Sequence, residues 1–282
     1  MSRKNVTGGA VFSLRAAALF LAAMMAACPA HAEPRTLTFA GREWTVRSGS
    51  GGPGPNPWSD SPESAWVDEE GLHLKIRQID GVWHCAEVVS TQPTCHGVHR
   101  FRISGQTGSL DKNVVASPFL YRDDVREVDI EFSRWGREQG PDTQYVVQPF
   151  QTRGNIHRFT SFPETETTHC IDWQPDSIRF SSFPGHGRKP AGKEAVKWTY
   201  KGKDIPREDD GLRIHINLWL VRGMPPSDGK EAEFVVKEAD LPPARCEKNG
   251  GRASREECAG RTADAKGTLN QPLCNPLPVA DR

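Results

Sequence analysis

Short runs of alternating hydrophobic and polar residues recur along most of the chain, separated by clusters of Gly, Pro, Asp and Ser. Alternation with a period of two is typical of a half-buried β-strand, and no long stretch has the 3.6-residue period of an amphipathic helix. The pattern predicts strands at residues 72–79, 86–91, 97–104, 113–121, 127–132, 143–150, 169–174, 177–183, 212–220 and 232–241. This density of strands favours an all-β protein in which two antiparallel sheets pack as a jelly-roll sandwich.

The predicted strand at 127–132 carries an acid at every second position, namely Glu127, Asp129 and Glu131. These side chains share one face of the strand, and the apolar residues between them point into the sandwich. On a concave, twisted sheet the two glutamate carboxyls can approach to about 5–5.5 Å, the separation found in retaining glycoside hydrolysis. Repulsion by Asp129 between them would help to keep one acid protonated near neutral pH.

The same stripe of acids has a second interpretation, which is the solvated outer face of an ordinary antiparallel sheet. Short motifs often occur by chance, so an isolated Glu-x-Asp-x-Glu favours that alternative. The context along the chain has to decide between the two.

The first 32 residues are typical of a secretory signal. Basic residues precede a short apolar run, and Ala30, His31 and Ala32 follow as a cleavage motif. The run is too short for a membrane span, so we expect cleavage near Ala32 and a secreted or periplasmic protein. Lipidation of Cys28 is the alternative at this position.

The rest of the chain is predicted to be one domain at 33–244, followed by a cysteine-containing tail at 245–282. The tail is polar, and we expect it to pack on the surface of the domain. Near the start of the domain, residues 48–64 form a loop rich in Gly, Pro and Ser, with Trp58 inside it. Trp58 is interpreted either as a platform for a sugar ring or as an anchor of the loop.

Charge and cysteine content limit the class of partner. The chain has 36 basic and 36 acidic residues, and the predicted signal removes three basic and no acidic ones, which leaves 33 against 36. This balance offers no basic stripe for nucleic acid. Six cysteines also remain, an even count that suggests disulfide bonds in an exported protein. Cys85 and Cys95 flank a predicted strand and suggest a local bridge, and Cys170 would then pair with a cysteine of the tail.

The context of the acidic strand resembles a known enzyme family. "EVDIEF" followed by Trp135 and Gly136 is similar to the catalytic strand of glycoside hydrolase family 16, in the unbulged form found in lichenases and xyloglucan transglycosylases. Four further segments resemble that family in the same order along the chain: "CAEVVST" at 85–91, "GVHRFRIS" at 97–104, "THCIDWQPDSIRF" at 168–180 and "INLWL" at 216–220. The resemblance implies a curved jelly roll with an open cleft for an extended polysaccharide.

The resemblance also implies roles for the acids. Glu127 would be the nucleophile, Glu131 the general acid and base, and Asp129 would orient the nucleophile and tune its charge. Glu87 matches a lichenase position that contacts the sugar near the cleavage point.

Alternation along 213–220 predicts further cleft residues. If the apolar face of this strand packs in the core, His215, Asn217 and Trp219 line the cleft, where Trp219 can stack on a sugar ring and Asn217 can hydrogen-bond hydroxyl groups. Core packing is the alternative for Trp219. Gln148 and Phe150 are expected to face the cleft from the neighbouring strand, whereas Trp173 is expected in the core of the opposite sheet.

Two positions depart from the lichenase pattern. Val89 stands where lichenases have arginine, and Val125 stands where they have tryptophan. The segment after 216–220 also lacks the tryptophan-rich pattern of the family. These changes remove sugar contacts and leave the acids intact, so they affect the choice of substrate more than the chemistry.

The sequence therefore predicts an endo-acting, retaining β-glucan hydrolase that works as a monomer on a polysaccharide. Neither nucleic acid nor, after removal of the signal, a membrane is expected as a partner. A transglycosylase of the same fold and a non-catalytic carbohydrate-binding protein are the alternatives. No cofactor is required by this chemistry. The family can hold a structural calcium ion, but no Asp-rich loop here indicates one.

Overall fold

The computed structural model describes residues 33–188 and 195–244, so the predicted signal and the predicted tail lie outside the described residues. The described strands are β1 (Thr36–Phe39), β2 (Arg42–Val46), β3 (Gly49–Gly51), β4 (Asn56–Trp58), β5 (Ala65–Asp68), β6 (Gly71–Ile79), β7 (Val82–His84), β8 (Ala86–Pro93), β9 (Gly97–Ser104), β10 (Val114–Asp123), β11 (Arg126–Phe132), β12 (Thr143–Val147), β13 (Ile156–Phe159), β14 (Glu166–Gln174), β15 (Ser177–Pro184), β16 (Val196–Tyr200), β17 (Arg213–Leu220) and β18 (Ala232–Asp240). Short 3-10 turns lie at Thr107–Ser109, Glu208–Asp210 and Val221–Gly223.

Two large antiparallel sheets pack face to face as a jelly roll. One sheet has the strand order β1-β2-β8-β17-β10-β11-β12-β13, and the other has the order β16-β15-β14-β9-β18-β6-β5, with β7 paired to β6. Strands β3 and β4 form a separate small hairpin. The all-β fold predicted from the alternation is confirmed.

The core lies between the two sheets and is built from the apolar faces of their strands. Val128, Ile130 and Phe132 of β11 are fully buried, as are the alternate apolar residues of β17. Phe132 reaches the opposite sheet, where its ring lies 5.9 Å from that of Phe234. Trp173 is fully buried on β14, as predicted. Because one face of β11 and β17 is held in this core, their polar residues must face outward from the first sheet.

All ten predicted strands are present, but the strand predicted at 143–150 is shorter. Strand β12 ends at Val147, since Pro149 has no N–H to donate to a sheet ladder. Gln148 still donates its backbone N–H to the carbonyl of Glu127, at 3.0 Å. Its side chain is therefore held beside β11 although it lies just outside the strand.

The Gly/Pro/Ser segment at 48–64 is more ordered than a plain loop, because it contains β3 and β4. Trp58 is only 3% exposed, and its indole N–H donates to the carbonyl of Gly51 at 2.9 Å. The guanidinium of Arg47 lies over its ring, 4.1 Å from the centroid. Trp58 is therefore an anchor of this segment and not an open platform for sugar.

The two predicted disulfide pairings are wrong. Cys85 and Cys170 are both free, buried thiols. Cys85 immediately precedes β8 and Cys95 follows it, so the eight residues of this extended strand hold them roughly 26 Å apart. That distance is far beyond the reach of a disulfide. Burial also raises the pKa of the Cys85 thiol to about 12, which makes it unreactive.

Candidate active site

Strand β11 lies near the middle of the first sheet, between β10 and β12. Glu127 is paired in register with Tyr121, Asp129 with Phe119 and Val146, and Glu131 with Gln144. The fully buried apolar residues of β11 fix which face the strand presents, so the three acids share the outward face. The sequence pattern predicted this orientation correctly.

This face forms the floor of one large cleft, with a volume of about 1090 Å³. Its floor spans six adjacent strands from β8 to β13, which corresponds to a length of roughly 24 Å. All predicted site residues line it: Glu127, Asp129, Glu131, Glu87, His215, Asn217, Trp219 and Gln148. Val89 and Phe150 line it as well. The structure therefore brings together residues that are up to 132 positions apart in the chain.

Glu127 and Asp129 form a hydrogen-bonded pair of carboxyl groups. Burial and repulsion from the neighbouring acids raise the pKa of both groups, that of Glu127 to about 8. Their mutual hydrogen bond lowers the pKa of Glu127 and raises that of Asp129. Asp129, which is only 2% exposed, therefore holds the shared proton and donates it towards Glu127. This hydrogen bond favours the ionised form of Glu127 and opposes the effect of burial on its pKa.

Gln148 supports the Asp129 end of this pair. Its amide oxygen accepts the backbone N–H of Phe150 at 2.8 Å, so its NH₂ group is left to donate to Asp129. Asp129 Oδ2 accepts no hydrogen bond from an amide, guanidinium or hydroxyl donor among the described residues. Asp129 is thus held by Gln148 while it is hydrogen-bonded to Glu127.

Glu131 has a different environment. Burial raises its pKa to about 7, and this effect is opposed by a hydrogen bond from Gln144 and by the charge of Arg158. The Gln144 amide donates through Nε2 to Glu131 Oε2 at 2.5 Å. A carboxyl with a pKa near 7 is suited to both giving and taking a proton at neutral pH.

Glu87 is held as an anion at the other side of the floor. Burial acts to raise its pKa, but hydrogen bonds and charge from His215 and Arg47 outweigh this and bring it below the ordinary value. Arg47 Nη1 donates to Glu87 Oε2 at 2.6 Å, and His215 Nδ1 is hydrogen-bonded to Oε1 at 2.7 Å. Arg47 thus supplies a guanidinium beside Glu87, although Val89 stands at the position where lichenases have one.

Aromatic side chains form part of the cleft wall. Trp219 packs edge-to-face against Trp135, with ring centroids 5.8 Å apart. Phe119 and Tyr121 lie against the ring of His215. Trp219 is only 8% exposed, so both the cleft and the core interpretation of this residue are partly correct.

Asn217 and Val125 complete the set of predicted positions. Asn217 is 3% exposed, and its Oδ1 has no hydrogen-bond partner in the described part of the chain. The residue belongs to the cleft lining. Val125 is 56% exposed in the turn that joins β10 and β11, outside the cleft lining.

Sequence reasoning missed several residues of the cleft: Arg47, Phe119, Tyr121, Trp135, Gln144 and Arg158. Phe119 and Tyr121 alternate along a predicted strand and could have been found in the same way as His215. Arg47 and Arg158 lie on or beside short strands that the sequence pattern did not identify, so no facing could be assigned to them.

Within residues 33–188 and 195–244, no group of three or more His, Cys, Asp or Glu side chains is placed to hold a metal ion. In the same ranges, no helix is long and apolar enough to cross a membrane.

Replacing Glu131 by glutamine should stabilise the protein at high pH. The raised pKa of a buried carboxyl contributes stability below about pH 4.5, and this contribution is lost as the pH rises through about 7. Glu131→Gln removes the titration, so we expect its free energy of unfolding to exceed that of the wild type by roughly 1–3 kcal/mol at pH 9. Urea unfolding at pH 4 and pH 9 measures this difference. Equal stabilities at pH 9 would contradict the assignment.

Comparisons with known proteins find solved structures that share this fold. No protein-family model matches the chain, and no curated protein matches it. A β-glucanase of Bacillus licheniformis superposes with a TM-score of 0.54 at 18% identity, over 71% of this chain and 92% of that one. A lichenase from a mouse hindgut metagenome superposes with a TM-score of 0.54 at 19% identity, over 71% of this chain and 92% of the lichenase. A β-1,3-glucanase of Mycobacterium marinum superposes with a TM-score of 0.52 at 18% identity, over 69% of this chain and 88% of the glucanase. At these identities the likeness establishes the fold, and at that level it confirms the resemblance found in the sequence.

Proposed function

We propose that this protein is a retaining endo-glycoside hydrolase that cleaves a β-linked glucan. The observation that carries the proposal is the set of three neighbouring carboxyl groups with raised pKa values on β11, in the floor of a long cleft with aromatic and hydroxyl-accepting side chains. The fold is shared with β-glucanases. A floor of roughly 24 Å accommodates several sugar units on both sides of the acids, which suits cleavage within a chain.

In the first step of the proposed mechanism, the Glu127 carboxylate attacks the anomeric carbon of the sugar. Glu131 gives its proton to the glycosidic oxygen, and the bond between that oxygen and the anomeric carbon breaks. One part of the glucan leaves as an alcohol, and the other remains as an ester on Glu127. Asp129 supports this step by donating a hydrogen bond to Glu127, which favours the ionised form of Glu127 and orients it before the attack.

In the second step, Glu131 is ionised and takes a proton from water. The water oxygen attacks the anomeric carbon and releases Glu127 as a carboxylate. Two inversions at the same carbon give net retention of configuration. Both steps need Glu131 to change its protonation state, which a pKa near 7 allows.

A panel of polysaccharides tests the proposal. The protein without residues 1–32 is offered lichenan, laminarin, xyloglucan and agarose, and new reducing ends are measured. We expect release from at least one β-glucan, with retention of configuration in the first product. Binding without any release would overturn the hydrolase proposal in favour of a carbohydrate-binding protein. Transfer of the cleaved segment to an added oligosaccharide in place of water would favour a transglycosylase.

The pH dependence of hydrolysis should be a bell with its optimum between about 7 and 8. The pKa values of Glu127 and Glu131 are raised to about 8 and about 7, and the steps belong to the coupled cluster as a whole. At lower pH both acids are protonated and Glu127 cannot attack. At higher pH both are ionised and Glu131 cannot protonate the leaving oxygen. Values of kcat/KM from pH 4 to 10 measure this, and an optimum at or below about pH 5 would contradict it.

A further inference from the structure

A chain of two hydrogen bonds leads from the edge of the cleft to Glu131. Arg158 on β13 donates through Nε to Gln144 Oε1 at 3.0 Å. Gln144 on β12 donates through Nε2 to Glu131 Oε2 at 2.5 Å. The sheet register places the three residues side by side, since Glu131 pairs with Gln144 and Gln144 pairs with Arg158.

The arginine determines which end of the Gln144 amide meets Glu131. A guanidinium has only donors, so it can bind only the amide oxygen. The NH₂ end must then face Glu131 and donate to it. Without Arg158 the amide could rotate and present its oxygen to a protonated Glu131. A donating NH₂ group favours the ionised carboxyl, whereas an accepting amide oxygen favours the protonated carboxyl.

Charge acts in the same direction as the hydrogen bond. Arg158 is exposed on the edge strand of the sheet and bears a positive charge at all relevant pH values. Its charge lowers the pKa of Glu131 and so opposes the effect of burial. Both effects of Arg158 therefore make it easier for Glu131 to lose its proton.

We propose that Arg158 is a positioning residue that acts through Gln144 to orient the Glu131 carboxyl and to favour its ionised form. The proposal rests on the proposed function, in which Glu131 must release a proton in one step and accept one from water in the next. A buried carboxyl without this support would stay protonated and would act poorly as the base of the second step. Arg158 thus supports the double use of Glu131.

The test compares Arg158→Gln with the wild type in steady-state kinetics. We expect kcat to fall several-fold, KM to change less than about twofold, and the pH optimum to rise by roughly 0.3–0.5 units. Arg179→Gln is the matched control, since Arg179 lies on β15 in the opposite sheet and forms an ion pair with Asp172 there. The control should keep the wild-type kinetics and pH optimum.

A double-mutant cycle distinguishes an effect of Arg158 on Glu131 that passes through Gln144 from a direct effect of Arg158. In a Gln144→Leu background, Arg158→Gln should lower kcat much less than it does in the wild type, because the linking amide is already gone. Fully additive losses would overturn the role of Gln144. A rise in KM without a change of pH optimum would overturn the proposal, since Arg158 would then bind substrate directly.

A direct titration distinguishes failure of this proposal from failure of the proposed function. The ¹³C carboxyl signal of Glu131, assigned by comparison with Glu131→Gln, is followed against pH without substrate. Arg158→Gln should move its midpoint upward, and an unchanged midpoint overturns the positioning role even in an active enzyme. Full activity of a Glu127→Ala variant would instead overturn the proposed function, whatever the titration shows.

Discussion

Replacing Glu127 by alanine should reduce glucan hydrolysis by about a thousandfold or more. The variant has no carboxylate to attack the anomeric carbon, so the covalent route through two inversions is closed. A thousandfold loss corresponds to about 4 kcal/mol in the barrier. The measurement is kcat/KM on the best substrate of the panel at the wild-type pH optimum. Glu166→Ala, an exposed acid on β14 of the opposite sheet, is the control and should keep wild-type activity.

Adding azide to Glu127→Ala provides a second and more specific test of the nucleophile. The alanine leaves a space beside the anomeric carbon, and a small anion in that space can attack in place of the carboxylate. We expect azide to restore turnover of Glu127→Ala and to give a glycosyl azide of inverted configuration. If Glu127→Ala hydrolyses glucan at the wild-type rate, the assignment of the nucleophile is wrong.

Replacing Glu131 by alanine should have a large effect that depends on the leaving group. General acid catalysis contributes about 10²–10⁴-fold, so hydrolysis of a glucan, whose leaving sugar needs a proton, should fall by about that factor. An aryl glycoside with an acidic phenol leaves without protonation, and its first step should be nearly unaffected. Single-turnover kinetics of both substrates measure the difference.

The same variant should lose the pH dependence that Glu131 imposes. Without this acid, the descending limb of the bell at high pH should flatten for the aryl glycoside. Azide should accelerate the second step and give a product of retained configuration, opposite to the outcome for Glu127→Ala. Equal losses on the glucan and on the aryl glycoside would show that Glu131 is not the proton donor.

The alternation of residues was sufficient to predict which face of β11 carries the three acids. On β11 and β17 the apolar positions have a buried core to fill, so the polar positions between them are forced outward. That is why Glu127, Glu131 and Asn217 could be placed from the sequence. The same logic failed for the end of β12, where Pro149 stops the ladder before the apolar pattern ends.

Partners from distant parts of the chain could not be predicted in this way. Arg47 is 40 residues from Glu87, and it comes to lie beside that carboxylate because β2 pairs with β8. Arg158 lies on a four-residue strand that is too short to show a period. Each arginine lowers the pKa of a cleft carboxyl, and these contacts appear only when the strand order is known.

The predicted pairing of Cys85 with Cys95 failed for a physical reason that was already present in the sequence. An even number of cysteines suggested pairing, but a strand of eight residues separates Cys85 from Cys95. Extended backbone keeps its two ends apart, so nearness in sequence did not mean nearness in space. The buried free thiols of Cys85 and Cys170 act as small apolar side chains of the fold.

The most direct test of the central claim is to trap the covalent intermediate on Glu127. A 2-deoxy-2-fluoro glucan oligosaccharide with a good leaving group should form the ester and then hydrolyse slowly, because the fluorine destabilises both transition states. Mass spectrometry of the digested protein should find the added sugar on the peptide that contains Glu127, located to that residue by fragmentation. A sugar attached to Asp129, to Glu131 or to another residue would contradict the account, as would turnover of glucan with inverted configuration.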